Sequence, residues 1–231
     1  MRTQRPRHLP DRRELCLAGL GVVLPAGSAV LQPRLLLAQA PEQPDGQVRV
    51  GDRWTFDAKD EITGLPTQTF THVVTEISAD QIIISASTKG GNGHRLFVYD
   101  RNWNVLNNSG FRYKPHDGQG IEPPLTAGKQ WRSEHETRNI QTGEGLKTSV
   151  AAKVVAQETI TTPAGTFATF KIEYHRRPVS GADPSRIREV ENVGWYAPQV
   201  NHWARRTFLT RMQKHIVENR SEELIEHGRT G

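Results

Sequence analysis

Eight histidines lie beyond residue 40, and no two of them stand at the i, i+4 or H-x-H spacing by which one element presents a pair of metal ligands. His175 and His202 are the pair whose strands could be neighbours, so they are the ones that could converge. Glu189 and Glu191 share a strand face, the arrangement a paired-carboxylate acid/base site would use. Nothing in the sequence isolates either from water, so a solvated surface is the simpler reading. Arg132, Glu134, Glu136 and Arg138 also alternate along one face, and two acids flanked by two arginines describe a salt-bridged exterior. No G-x-S-x-G elbow, H-E-x-x-H helix or P-loop occurs beyond residue 40. Gly90-Gly91-Asn92-Gly93 leads into a strand, so it lacks the helix N-terminus that phosphate binding needs and reads as a hairpin turn. These residues point away from an enzyme and imply no catalytic residue, metal or cofactor.

The remaining candidates are aromatic. Trp103, Trp195, Tyr196 and Trp203 could line a groove for an apolar ligand, because binding pockets are mostly apolar with a few polar groups. Ordinary core packing is the alternative for each of them.

The elements that would position these residues are strands. After Thr162-Pro163-Ala164-Gly165-Thr166, a turn set by proline and glycine, Phe170, Ile172 and Tyr174 fall on one face and Lys171, Glu173 and His175 on the other. Trp195-Tyr196-Ala197 and His202 to Phe208 bracket Pro198-Gln199-Val200-Asn201 as a second hairpin. Earlier strands are expected near Trp54–Lys59, Thr67–Ile77, Gln81–Thr88, His94–Tyr99 and Trp103–Asn107. Between Ser109 and Pro124 the composition shifts to Gly, Pro, His and Asp, which reads as a long loop or boundary. Thr210 to His227 is ambiguous: Glu222 to His227 reads as a closing strand, or the region from Arg211 as partly helical. No stretch is a convincing amphipathic helix, so the fold class is mainly β, with antiparallel meanders forming a strongly curved sheet, half-barrel or sandwich. The concave face of such a sheet is where a ligand would sit.

Gly51-Asp52-Arg53-Trp54 is answered 77 residues later by Gly128-Lys129-Gln130-Trp131, and the same order of strands and turns follows each. A tandem duplication with halves 48–110 and 125–210 would place Trp54 and Trp131 at equivalent core positions.

The first forty residues read as an export signal. Arg2, Arg5, Arg7, Arg12 and Arg13 precede the apolar run Leu15 to Leu24, and small residues follow at Gly27 to Ala29 and at Ala38 to Ala40. Cleavage at Ala29 or at Ala40 fits this layout, and Arg12-Arg13 fits either an ordinary basic region or twin-arginine export. The run of about ten apolar residues is too short for a bilayer-spanning helix, so no stable membrane span is expected after cleavage. Residues 41–47 read as a flexible leader and 48–231 as one β-rich domain. The signal holds six arginines and two acids of the chain's 30 basic and 25 acidic residues, leaving 24 against 23. The basic pI of 9.6 therefore belongs largely to the signal and does not point to nucleic acid. The single cysteine, Cys16, lies there too, which excludes thiol chemistry and disulfides from the remainder.

TTPAGTFATFKIEY, followed about twenty residues later by WYAP, resembles a class of uncharacterised exported bacterial proteins that form a domain-of-unknown-function family. The resemblance implies a periplasmic or secreted β-rich fold, related in shape to the open half-barrels of lipoprotein carriers and outer-membrane biogenesis factors. It brings no catalytic residues. The strand ends Tyr174-His175-Arg176-Arg177 and Ala204-Arg205-Arg206 depart from the apolar ends that would suit a lipid carrier. The expectation is a binding or envelope-associated module for a lipid or other apolar or amphipathic ligand. A structural domain meeting an envelope protein is the alternative, and a hydrolase is the more distant reading.

Overall fold

The computed structural model describes residues 47–180 and 188–230, so the expected export signal, Cys16 and residues 41–46 lie outside the described residues. Short alternating apolar stretches broken by Gly, Pro, Asn and Asp give strands nearly throughout. They are β1 (Asp52–Asp60), β2 (Pro66–Ile77), β3 (Gln81–Thr88), β4 (His94–Asp100), β5 (Val105–Asn107) and β6 (Phe111–Lys114). Then come β7 (Gln130–Asn139), β8 (Gly145–Thr162), β9 (Gly165–Ser180), β10 (Arg188–Ala197), β11 (His202–Met212) and β12 (His215–Arg229). Each strand pairs antiparallel with its successor, and β1 also pairs with β12, so the meander closes into a barrel of twelve strands. The strongly curved antiparallel sheet expected from the sequence is present, and closure leaves it without a free edge. The ambiguous C-terminal segment is extended: β12 is the closing strand, and Arg211 belongs to β11. Arg53 to Glu226 and Arg229 to Asp52, both at 2.7 Å, lie along the closing ladder.

The two hairpins have their expected turns. Thr162 faces Gly165 across the β8–β9 turn, and Gly165 takes a positive φ of 137°. A single 3-10 turn, Pro198–Val200, ends on left-handed Asn201 and links β10 to β11. Trp103, by contrast, is not in a strand. The Asp100 carboxylate accepts the Asn102 and Asn104 backbone N–H groups, and that turn carries the Trp103 indole into the core.

The two G-x-x-W stretches adopt one geometry. Gly51 and Gly128 have φ of 88° and 87° and donate to the carbonyls of Val74 and Val154. One residue past each of those valines the ladder slips by a bulge. Trp54 is fully buried, whereas Trp131 is partly buried and packs against the edge of the core.

Strand direction sorts the lumen into two ends. At one lie the turns β2–β3, β4–β5, β8–β9 and β10–β11, where Trp54, Trp103, His202, Trp203 and Tyr196 pack ring against ring. Of the stretch expected as a loop, Ser109 to Pro124, Phe111–Lys114 is instead strand β6; the loop runs from Pro115 to Lys129 and turns inward to complete this packing. The Gly120 N–H donates to Asn104 Oδ1 and its carbonyl accepts from the Tyr174 hydroxyl, and Ile121 and Leu125 are buried beside it. Gly120 has no room for a side chain: a Cβ there would lie 2.2 Å from the Asn102 carbonyl. Replacing Gly120 by Ala should therefore unseat the plug and lower stability by roughly 2–3 kcal/mol in chemical denaturation, whereas Gly90→Ala, facing open space, should cost less.

Candidate functional site

At the opposite end the same strands leave space. A cavity of about 650 Å³ opens among the turns β1–β2, β3–β4, β5–β6 and β11–β12. Its walls are the inward residues of successive strands: Phe70 and His72 on β2, Ala86 on β3, Phe97 and Tyr99 on β4, Arg176 on β9, and Val190 on β10. From β11 come Arg206, Phe208 and Thr210, and from β12 come Glu218, Arg220 and Glu222. The result is a cup whose floor is aromatic and whose wall is charged.

The floor is a cage of rings. His72 sits within 5.8 Å of the Phe56, Phe70, Phe97 and His202 ring centres. Burial pushes the His72 imidazole down to about 4, with the charge of Arg206 adding to the effect. Burial also holds His202 well below the usual histidine range, so both rings are neutral at physiological pH. His72 Nδ1 and His202 Nε2 have no hydrogen-bond partner in the structure.

The wall divides its charges unevenly. Arg220 is claimed by two carboxylates, Glu218 at 2.8 Å and Glu222, and lies 3.9 Å over the Phe208 ring. Glu222 stands opposite Arg206 in the β11–β12 ladder but is engaged by Arg220. Among the described residues no carboxylate comes within ion-pair distance of Arg206 or Arg176. Arg206 instead lies over the rings of Phe208 and Trp203, at 4.8 and 5.5 Å. Arg176 Nε is buried without a partner, and burial lowers the guanidinium pKa. Asp117, the acid whose charge acts on it most, accepts from the N–H groups of Val105 and Gln119 and from Gln119 Nε2. Burial raises the Asp117 pKa, and the charge of Arg176 opposes that rise.

The aromatic candidates from the sequence lie elsewhere. Trp103, Tyr196 and Trp203 are buried in the plugged end, where Trp203 packs over Gly194. Trp195 is on the outer wall, donating to Glu158 and flanked by Lys171 and Arg205. None of the four lines the cup. His175 is exposed on the outside and His202 is buried inside, so the wall separates them. His175, Glu189 and Glu191 do share an outer hollow of about 460 Å³ with Arg132 and Glu134. Arg211 binds Glu191 at 2.6 Å, and Arg177 lies 3.9 Å from Glu189, as on a solvated surface. Another hollow, of about 640 Å³, is bordered by exposed Glu134, Glu136, Lys147 and Arg177.

Sequence reasoning did not single out Phe70, Phe97 or Phe208, and it met Arg176 and Arg206 only as charged strand ends, without placing them inside. A signal existed in the alternation itself: Phe170, Ile172 and Tyr174 point inward, and the next residue of that series is Arg176.

Residues 133–202 match the family described as DUF3108-like. None of the curated proteins compared matches this chain. Among solved structures, a protein of Parabacteroides distasonis ATCC 8503 assigned as a lipoprotein is similar with a TM-score of 0.50 and 14% identity, over 78% of this chain and 96% of its own. A protein of Bacteroides fragilis NCTC 9343 assigned as exported, with a YmcC-like fold, gives a TM-score of 0.50 and 14% identity, over 78% of this chain and 97% of its own. The likeness is one of fold.

The neutral histidines make stability depend on pH. The unfolded chain binds a proton at His72 near pH 6.5 and the folded one only near 4, so stability falls as pH drops through that window. His72 alone should account for about 3 kcal/mol of loss by pH 4. In urea titrations from pH 7 to 4, His72→Leu should make the decline shallower by about one proton.

Proposed function

We propose that this is an exported binding module whose barrel cup holds an amphipathic ligand. The observation that carries the reading is the open end of the lumen: a cavity of about 650 Å³ with aromatic rings on its floor and charged groups on its wall. That size falls in the range of small-molecule sites, which run from about 300 to 1,000 Å³. A barrel built only for rigidity would fill both ends, and this one packs its plugged end with indoles and a loop while the other end stays open.

Export is supported by the basic, apolar and small-residue order of the first forty residues, and by the assignments of the two structural relatives as a lipoprotein and an exported protein. No helix among the described residues is long and apolar enough to cross a membrane. The outer wall carries Arg132, Glu134, Glu136, Lys153, Glu173 and Glu189 along β7 to β10, where a lipid-facing barrel would place apolar side chains. A barrel standing in water with its ligand inside accounts for both the outer charges and the inner rings.

The test uses the neutral apolar fluorophore N-phenyl-1-naphthylamine. Its emission should rise on addition of the protein and saturate at one equivalent. Ala86 is half-buried on the cup wall, so Ala86→Trp should obstruct the cup and weaken the signal while leaving the denaturation midpoint close to that of the parent protein. No enhancement with the parent protein, or equal enhancement with Ala86→Trp, would contradict the assignment.

A further inference from the structure

Resting on the cup as a ligand site, we infer that it selects amphiphiles with an anionic headgroup, seated between Arg176 and Arg206 with the apolar tail against Phe70, Phe97 and Phe208. Three observations converge on this. The first is an imbalance of charge within the cavity. Arg220 already engages Glu218 and Glu222, and among the described residues neither acid reaches ion-pair distance of Arg176 or Arg206. Asp117 accepts from the Val105 and Gln119 N–H groups and from Gln119 Nε2, and it makes no ion-pair contact with either arginine. Arg176 and Arg206 therefore face the lumen with no counter-charge in ion-pair contact; Asp117 attracts Arg176 from beyond contact distance, while Arg188 and Arg206 repel it.

The second is the state of the donors. A buried guanidinium nitrogen without a partner loses its hydration and receives no hydrogen bond in return. Arg176 Nε is such a group. Arg206 makes only ring contacts, which orient the plane of its guanidinium and leave its N–H groups free to donate. A carboxylate or phosphate would supply acceptor oxygens to both guanidiniums and cancel their repulsion. A neutral or cationic headgroup could not.

The third is the setting. A free anion in water would find no use for the rings of Phe70, Phe97 and Phe208, which line the same cavity. An apolar ligand without a headgroup would leave the arginines desolvated and unpaired. Only a molecule with both parts satisfies the whole lining.

The experiment is competition against N-phenyl-1-naphthylamine with four probes of equal chain length: dodecanoate, dodecyl phosphate, 1-dodecanol and dodecylammonium. One or both anions should compete at concentrations roughly tenfold or more below dodecanol, and dodecylammonium should be the weakest. The stronger of the two anions distinguishes a carboxylate seat from a phosphate seat. Arg176→Met and Arg206→Met should each weaken the preferred anion roughly tenfold and leave dodecanol unchanged, so that retained dodecanol binding certifies an intact cup. If dodecanol competes as well as both anions, or if both variants keep the preference for the anion, the headgroup assignment is overturned and the cup assignment stands. If the fluorophore and all four probes fail to bind, the cup assignment falls with it.

Discussion

A sheet of twelve strands closed on itself encloses more space than a single layer of inward side chains can fill, and the rest of the molecule follows from how that space is divided. The Pro115 to Lys129 segment is the part that does the dividing. By bringing Gly120 against Asn104 and Tyr174, and Ile121 and Leu125 into the core, it completes one end as a packed interior. Trp54, Trp103 and His202 then stack beneath it, with the Trp54 indole N–H held by the Val200 carbonyl at 2.8 Å. Because that end is filled and rigid, the other can remain open without loss of the barrel.

The boundary between the two ends is a layer of rings and neutral histidines. His72 and His202 stay uncharged because they are sealed in, and their uncharged state keeps the layer compatible with the phenylalanines around it. Above the layer the side chains change character within two residues along a strand. On β9 the inward series passes from Tyr174 to Arg176, and on β11 Arg206, Phe208 and Thr210 follow one another toward the mouth. Core and cup wall are thus successive steps of the same alternation.

That continuity explains what could be read from the sequence. Hairpins were legible because Pro163 with Gly165, and Pro198 with Asn201, set local geometry that tertiary packing does not alter. The curved, mainly antiparallel sheet was legible from alternation. Closure was not, because pairing β1 with β12 joins residues some 170 apart and leaves no local mark. The candidate aromatics misled for a related reason: large rings favour both core and pocket, and Trp103 was carried into the core by a turn that depends on the Asp100 carboxylate. Arg176 and Arg206 stand out in the sequence as charges where apolar strand ends would suit a lipid carrier. Their place inside the lumen needed the register of β9 and β11, which only the closed sheet supplies.

Occupancy of the cup in nature decides most directly whether it is a ligand site. Native mass spectrometry of the protein recovered from its own host without detergent measures this. A reproducible added mass of a few hundred daltons, roughly what a cavity of this size holds, that disappears on denaturation is the predicted result. A clean mass of the polypeptide alone, from protein that still binds no fluorophore, would contradict the account.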